Sequence, residues 1–562
     1  MRKSFMLLIV AVLVMAAMPS FAELQNVLVG GQIRIRGNWF DEAALPDSPV
    51  HNNRLFQWPL INFFRGNPPA VPANLNPLAG ARWFGVPGRA GIGSLFSLDD
   101  RGGKLSFTEM RTRLNVRADF TEMVSAFIEF DSYDIWGEDF RSDYVTGVDR
   151  RAATGDDVEV YQSYIEANEM FGFPLRLRIG RQEMNLGSGW LIGANDEGPF
   201  FRGLSFDAVR ATYATDVFSV DAFWAKLADF SPREEDGDID LYGVYASFLG
   251  VENSTFDAYW LLVRDAISQW DTQDGWLGDW VENLLNVDNY DPTYLHTVGL
   301  RGAGKYGAFD FEAEAAYQFG NADAVNSTFR GQGLLSPWYG PDGEKFGAWG
   351  GNLEVGYTFD MEFQPRVFIG GAYLGGEDNR DLDFVDWLGA MFCPFWSADS
   401  SLSFNRLFSN WKYSNFLDSG VAGANSFASA GADLSNVWLA RAGFSVMPTE
   451  QLRLEVTGTY YETLEAFNSP WPTFWLLGNR VSPLAGLSFL SEENDKTLGW
   501  EVAANATYVY SEDLSFELGY AHFFVDDGLE VGNFNNRNGL AYNGGQSDKD
   551  PNYVYFQTKI SF

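Results

Sequence analysis

The chain has one cysteine and three histidines among its 562 residues, and this scarcity limits how the fold is held together. Cys393 has no partner for an internal disulfide, and no group of cysteines and histidines has the spacing of a zinc site. We therefore expect neither a metal ion nor another cofactor. Rigidity has to come from packing and from backbone hydrogen bonds.

Cations are also scarce in this chain. It has 39 lysines and arginines against 75 aspartates and glutamates, which gives a formal net charge of −36. Nucleic acid is excluded as a partner, because binding to its phosphates needs clustered cations. Acidic runs such as residues 234–236 and 526–527 fall between the regular segments, so we expect most of the excess charge on solvated loops.

Long apolar runs are confined to the N-terminus. Two basic residues, an apolar run over residues 5–18 and a small-x-small pattern ending at Ala22 are typical of an export signal. Residues 1–22 are thus predicted to be a signal peptide. The rest, residues 23–562, has no stretch of about 20 apolar residues and therefore no helix that spans a bilayer.

What the chain does have is a regular alternation of polar and apolar residues. In the first segment, one face carries Val27, Val29, Ile33, Ile35 and Trp39, and the other carries Gln32, Arg34, Arg36 and Asn38. A period of two residues indicates a β-strand with one apolar and one polar face. No amphipathic helices are available to cover the apolar faces, so lipid outside and water inside explain the pattern.

About eighteen such strands can be counted, separated alternately by tight turns and by long stretches rich in Gly, Pro, Asn and Asp. Their expected starts are residues 27, 104, 124, 158, 175, 206, 217, 239, 254, 294, 309, 347, 363, 436, 451, 497, 514 and 553. The sequence thus predicts an all-β fold, a transmembrane antiparallel β-barrel with short periplasmic turns and long extracellular loops, located in the cell outer membrane. Barrels of roughly 16–18 strands leave an aqueous channel.

The last strand carries the most specific single signal for this class. Val554, Phe556, Thr558, Ile560 and Phe562 lie on one face, and the chain stops at that phenylalanine. Bacterial outer-membrane barrels commonly end in such a strand, so we expect insertion into that membrane.

Seven arginines fall on the polar faces of the first five strands, where they should form a basic ladder on one wall of the lumen. They are Arg34, Arg36, Arg111, Arg113, Arg117, Arg176 and Arg178. Inward acids such as Glu129 and Asp131 share these strands, so we expect a lumen that is close to charge balance. Such groups can select which solutes pass, or they can pair and hold the wall rigid, and the sequence leaves both interpretations open. A sugar acid would engage the arginines, whereas a neutral sugar would use hydrogen-bond donors and aromatic rings.

Three segments of the chain carry a family resemblance. They are residues 179–183 with Gly187, Gly189 and residues 191–193; residues 201–210; and residues 498–501 with residues 514–524. Their order and spacing resemble the alginate export family of outer-membrane barrels, and a more diffuse similarity extends from the first strand to the end.

The resemblance implies a monomer of eighteen strands that exports an anionic polysaccharide through an arginine-rich constriction. It also implies that Arg181 and Arg210 are cations of the pore, with Asp207 and Glu183 as their partners. By the same resemblance, residues 185–203 form a loop that folds near the pore.

The leading functional hypothesis is a channel for passive passage of a polar solute, either a carbohydrate or an anionic polysaccharide. The alternatives are a general porin for ions and solutes, and a structural or adhesive barrel whose acidic loops bind calcium or lipopolysaccharide. No enzyme is expected, because His51, His296 and His522 form no recognisable catalytic group. The expected partners are the lipid bilayer, lipopolysaccharide and the solute.

Overall fold

A computed structural model describes the chain from residue 24 onward, with gaps. The described residues are 24–43, 103–136, 158–194, 196, 198–199, 201, 203–229, 238–266, 292–321, 344–376, 400–402, 404–417, 434–465, 468–469, 474–476, 479–481, 492–493, 495–530 and 550–562. The expected signal peptide, His51 and the acidic run 234–236 lie outside them.

Eighteen antiparallel strands form one sheet that closes on itself. In chain order they are β1 Asn26–Ala43, β2 Gly103–Thr121, β3 Val124–Ile135, β4 Glu159–Ala167, β5 Leu175–Gln182, β6 Phe206–Ala214, β7 Phe218–Asp229, β8 Asp238–Phe248, β9 Ser254–Asp265, β10 Thr293–Tyr306, β11 Phe309–Asn321, β12 Trp349–Thr358, β13 Arg366–Leu374, β14 Val437–Thr449, β15 Leu452–Thr463, β16 Thr497–Val509, β17 Leu514–Val525 and β18 Asn552–Ser561. Each pairs with the next, and β1 also pairs with β18, so both edges of every one of these strands are bonded. The predicted all-β barrel of about eighteen strands is confirmed.

Shorter elements lie in the connections between these strands. They are a 3-10 helix, Met170–Gly172, an α-helix, Asp527–Glu530, and the strands Glu344–Phe346, Ser400–Leu402, Asn468–Ser469, Phe474–Leu476, Asn479–Val481 and Glu492–Glu493. None of the helices in the described ranges has the length and apolarity needed to cross a bilayer.

The strand starts follow the alternation in the sequence closely. All lie within two residues of expectation except that of β13, which was expected at residue 363 and begins at Arg366. Phe363 and Gln364 have left-handed backbone, with φ of 70° and 42°, so the preceding turn is longer than the polarity pattern indicates.

The connections differ between the two ends of the barrel. At one end, the short-turn rim, every connection has seven residues or fewer. At the other, the long-loop rim, connections such as residues 44–102 and 375–436 are far longer. This asymmetry is the one expected of an outer-membrane barrel.

The two ends of the chain complete the barrel. Phe562 and Gly31 exchange main-chain hydrogen bonds of 2.9 and 3.0 Å. A Cβ on Gly31 would lie 2.6 Å from the Phe562 ring, so glycine is needed for this approach. The terminal phenylalanine thus takes part in the β1–β18 closure.

The barrel has inverted polarity compared with a water-soluble protein. Large apolar side chains stand on its outer face, with Ile165, Leu300 and Ile369 63–67% exposed. Polar side chains are enclosed, with Asn38 and Glu109 both 0% exposed. Water-soluble proteins place such groups the other way round, so the outer face is suited to lipid.

Candidate functional site

Two segments enter the lumen from the long-loop rim. Inner segment 1, residues 183–203, connects β5 to β6, and inner segment 2, residues 404–417, lies between β13 and β14. Met184, Trp190 and Phe404 are 0% exposed inside the barrel. At their level the lumen is therefore narrowed by these segments and not bounded by the strands alone.

The two inner segments pack directly on each other. Trp190 donates from Nε1 to the Tyr413 hydroxyl at 2.7 Å, and its ring stacks on Phe404 with centroids 5.6 Å apart. A Cβ on Gly193 would lie only 2.5 Å from the Cβ of Asn410. Glycine is therefore required at position 193, where the two segments cross. Through these contacts the two inner segments form one packed unit.

Arg34 of β1 and Arg111 of β2 hold inner segment 1 against the wall. Arg111 forms an ion pair with the Asp196 carboxylate and donates from Nη1 to the backbone oxygen of Phe201 at 2.8 Å. Arg34 donates from Nη1 to the backbone oxygen of Asp196 at 2.6 Å, and its guanidinium lies 4.0 Å from the centroid of the Phe201 ring. Because the arginines are 5% and 1% exposed, they anchor the segment and do not stand open to water.

Arg113 contacts both ends of inner segment 1. Its Nη1 lies 3.1 Å from Glu183 Oε1 and its Nε 3.1 Å from Asp131 Oδ2. At the other end, Gly203 has a φ of +87°, and a Cβ there would lie 2.3 Å from Arg113 Nη2. A side chain at position 203 would displace the guanidinium.

A β-bulge in β4 directs two neighbouring side chains towards this cluster. The β3–β4 register shifts after Glu129, and both Tyr161 and Gln162 are buried. Tyr161 donates its hydroxyl to Glu183 at 2.6 Å, and the Gln162 amide oxygen accepts the Glu183 backbone N–H at 3.0 Å. Bulges re-aim side chains in this way, and this one fixes the start of inner segment 1.

Inner segment 2 is bonded to a different part of the wall. Glu501 of β16 accepts hydrogen bonds from the Ser414 hydroxyl at 2.5 Å and the Asn415 side-chain amide at 2.7 Å. Gln318 of β11 donates from Nε2 to the Asn405 backbone oxygen at 2.6 Å and accepts the Asn405 N–H at 2.7 Å. The two segments thus connect distant strands across the lumen.

Most of the site residues expected from the sequence lie on the inner face. These are Arg34, Arg36, Arg111, Arg113, Arg117, Arg176, Arg178, Arg210, Glu129 and Asp131 in the wall, with Glu183 in inner segment 1. Arg178 pairs with Glu166 at 2.6 Å, and Arg210 pairs with Asp221 at 2.8 Å. Pairing of this kind neutralises much of the expected basic ladder.

Arg181 and Asp207 are a correction to the expected pore lining, because they lie on the outer face. Arg178 and Gln182 of β5 point inward, so the two-residue period turns Arg181 outward, and Asp207 beside it on β6 does the same. They form an ion pair at 2.8 Å, with side chains 47% and 55% exposed. The motif resemblance alone carries no information about which face a residue occupies.

Inner segment 2 was not identified from the sequence. Its Arg406 is 0% exposed and donates to the Ser409 hydroxyl at 3.1 Å. The segment interleaves aromatic residues such as Trp411 and Tyr413 with amides such as Asn410, which is unusual for a solvated loop. That composition is the sequence feature that would have indicated a segment packed inside the barrel.

The docking of inner segment 1 should respond to acid through Asp196. Burial acts to raise the pKa of this carboxyl, but Arg111 and Arg34 outweigh burial and hold the pKa below its usual 3.8. A group with a lowered pKa stabilises the docked state above its ordinary pKa, and that stabilisation is lost as the pH falls through the lowered value. In planar bilayers we expect the single-channel conductance to rise as the pH falls below about 4. An Asp196→Asn variant with the same acid response would show that another group causes it.

The protein is a closed barrel of eighteen antiparallel strands that is apolar outside and polar inside, and two segments narrow its lumen. These features define an outer-membrane β-barrel of the channel class. The sequence model of the alginate export family matches residues 97–541, and the chain belongs to this family. Its location is the cell outer membrane. The family and the fold are those of a channel.

Solved outer-membrane proteins align with nearly the whole chain at low identity. OccK8 (OprE) of Pseudomonas aeruginosa is 10% identical over 96% of this chain and 98% of its own, with a TM-score of 0.44. OccAB1 of Acinetobacter baumannii is 9% identical over 97% and 99%, with a TM-score of 0.45. OmpT of Vibrio cholerae is 8% identical over 95% and 97%, with a TM-score of 0.33. No curated protein matches the chain.

Proposed function

We propose that this barrel is a channel through which a carbohydrate crosses the outer membrane passively. The observation that supports this is what the inner segments leave accessible. Asn185 is exposed, and Asn410 and Trp411 are half-buried, whereas Arg34 and Arg111 are buried. A solute passing the inner segments thus contacts amides and an indole ring, while these two guanidinium groups stay covered.

Amides and an indole ring match the chemistry of a sugar. An asparagine amide both donates and accepts, as hydroxyl groups require, and the apolar face of a sugar ring can pack on an aromatic ring. Trp411 is held in place because its Nε1 donates to the Ser188 backbone oxygen at 3.0 Å. A fixed ring loses little conformational freedom when a solute packs on it.

The charges of the wall favour a polar solute over a simple ion of one sign. Arg301, for example, lies 2.8 Å from Asp257 and 3.0 Å from Glu312. Paired charges present both signs to a passing solute. An anionic polysaccharide belongs to the same proposal but needs open cations, for which Arg176 and Lys559, inward-facing and half-buried, are the candidates.

Current block by added sugars tests this proposal. Purified barrels in planar bilayers should give stable current steps that neutral sugars and uronates reduce in a concentration-dependent way. Trp411→Ala should weaken this block by about two- to tenfold, since an aromatic contact contributes roughly 0.5–1.5 kcal/mol. Trp500→Ala, which removes a ring 51% exposed on the outer face, should leave the block unchanged.

Two results would contradict the proposal. Steps that no sugar or uronate alters would favour a general porin for ions and solutes. The absence of any steps from correctly folded barrels would favour a structural or adhesive barrel.

We also propose that the barrel acts as a monomer among lipopolysaccharide molecules. The β1–β18 ladder, from Gln32↔Ser561 to Phe40↔Tyr553, closes the sheet within one chain. A single-chain mass for the protein in detergent, after subtraction of the bound detergent, is the expected result.

A further inference from the structure

The outer face at the long-loop rim is charged on one side of the barrel. Six charged side chains lie there on β5–β9. They are Arg181, Asp207, Lys226, Asp238, Asp240 and Arg264, and we call them the outer charged belt. Their sequence neighbours Gln182, Phe206, Ala225 and Leu241 face the lumen and are at most 2% exposed, so the period of two turns the belt outward.

Five of the six belt residues lie in one row across the sheet. Arg181 is in register with Asp207, and Asp207 with Lys226. Lys226 is in register with Asp240, and Asp240 with Arg264. The signs alternate along the row, and because neighbouring strands are about 4.8 Å apart, successive cations stand roughly 10 Å from each other.

The belt cations retain donors for a ligand. Arg181 uses three N–H groups, two on Asp207 at 2.8 and 3.0 Å and one on the Val160 backbone oxygen at 3.2 Å, out of the five that a guanidinium has. Arg264 has only a 3.9 Å contact from Nη1 to Asp240 within the described structure, which is too long for a hydrogen bond. The ion pairs within the row therefore leave some N–H donors of its cations without an acceptor in the described structure.

The belt lies at the edge of the apolar band. Towards the short-turn rim, the outward residues on the same strands include Ile179, Trp224, Val244 and Trp260, which are 37–49% exposed. Around the rest of the long-loop rim, the outward residues include Trp39, Trp349, Tyr373, Trp500 and Phe524, which are 46–59% exposed. Aromatic rings prefer the headgroup level of a membrane, so the belt stands among headgroups.

We propose that the outer charged belt binds the phosphorylated headgroup of a glycolipid in the outer leaflet. Phosphate oxygens bind Arg181 and Arg264, whose open N–H donors match them. They also bind the third donor of Lys226, whose Nζ lies 2.6 Å from Asp238 Oδ2 and 2.9 Å from Asp240 Oδ1. A divalent cation that bridges phosphates binds the carboxylates Asp207 and Asp238. Alternating charges fit a layer of phosphates and divalent cations, whereas lipid tails would leave the remaining donors and acceptors of the belt without partners. This inference does not depend on what passes through the lumen.

Binding of a phosphorylated and a dephosphorylated glycolipid to the purified full chain tests the proposal. Native mass spectrometry with lipid A and with enzymatically dephosphorylated lipid A should show preferential retention of the phosphorylated form by about tenfold or more, and chelation of divalent cations should weaken it. The triple variant Arg181→Gln, Lys226→Gln and Arg264→Gln should lose this preference. A control double variant, Lys305→Gln and Arg453→Gln, removes two exposed cations near the short-turn rim and should keep it.

Three results would overturn the proposal. They are equal retention of both lipids by the unmodified protein, an unchanged preference in the belt variant, and a dimer of this chain cross-linked through the belt. If the belt variant does not fold, the comparison of the two lipids on the unmodified protein still tests whether the phosphate groups are recognised.

Discussion

Replacing Asp196 by asparagine is expected to release inner segment 1 and to raise the conductance of the barrel. The change keeps the size of the side chain but removes the charge that Arg111 and Arg34 face. Removing one partner of a buried ion pair costs about 3–5 kcal/mol. Because the Asp196 side chain is 29% exposed, we expect at least about 2 kcal/mol, or roughly a 30-fold shift from the docked to the undocked segment. Single-channel recordings at neutral pH should show a higher conductance level that is visited more often.

Asp207→Asn provides the matched control, because it makes the same chemical change on the outer face. Its conductance should equal that of the unmodified protein. If Asp196→Asn also conducts like the unmodified protein, the pair with Arg111 does not hold the segment in the lumen.

Removing the side chain of Trp190 is expected to separate the two inner segments. Trp190 is 0% exposed, stacks on Phe404 and donates to Tyr413. A Trp→Ala change in a packed interior costs about 3–5 kcal/mol. Trypsin should then cleave folded barrels after Arg406, which is 0% exposed in the docked state, and the conductance should rise.

Trp500→Ala removes the same side chain from the outer face and should leave Arg406 resistant to trypsin. Heat-dependent mobility in gels checks that each variant still forms a barrel. Continued resistance of Arg406 in Trp190→Ala would mean that this contact does not hold the segments together. Adding Asp196→Asn to Trp190→Ala should raise the conductance by less than the sum of the single effects, because both substitutions release inner segment 1.

The strands could be predicted because their signal is local. In β18, for example, Val554 and Phe556 point outward and Tyr553 and Tyr555 point inward, as the alternation from residue to residue requires. A barrel wall exposes each strand to lipid on one face and to the lumen on the other, so every strand carries the same pattern independently of its neighbours.

The candidate site could be predicted only in part. The inward position of Arg34 and Arg111 follows from the same alternation. What they bind does not, because Asp196 and Phe201 reach them from a segment with no strand periodicity. Arg181 shows the opposite failure, since a motif placed it in the pore although its own strand pattern points it outward.

By itself the sequence determined how many strands there are, where they begin and which face of each meets lipid, since these depend on neighbours two residues apart. Only the tertiary structure decided that residues 404–417 also turn into the lumen and which acids reach the arginines. Arg34 and Gln557 form a 2.6 Å hydrogen bond although they are 523 positions apart. Contacts of that kind depend on the closure and register of the whole barrel, and no local pattern specifies them.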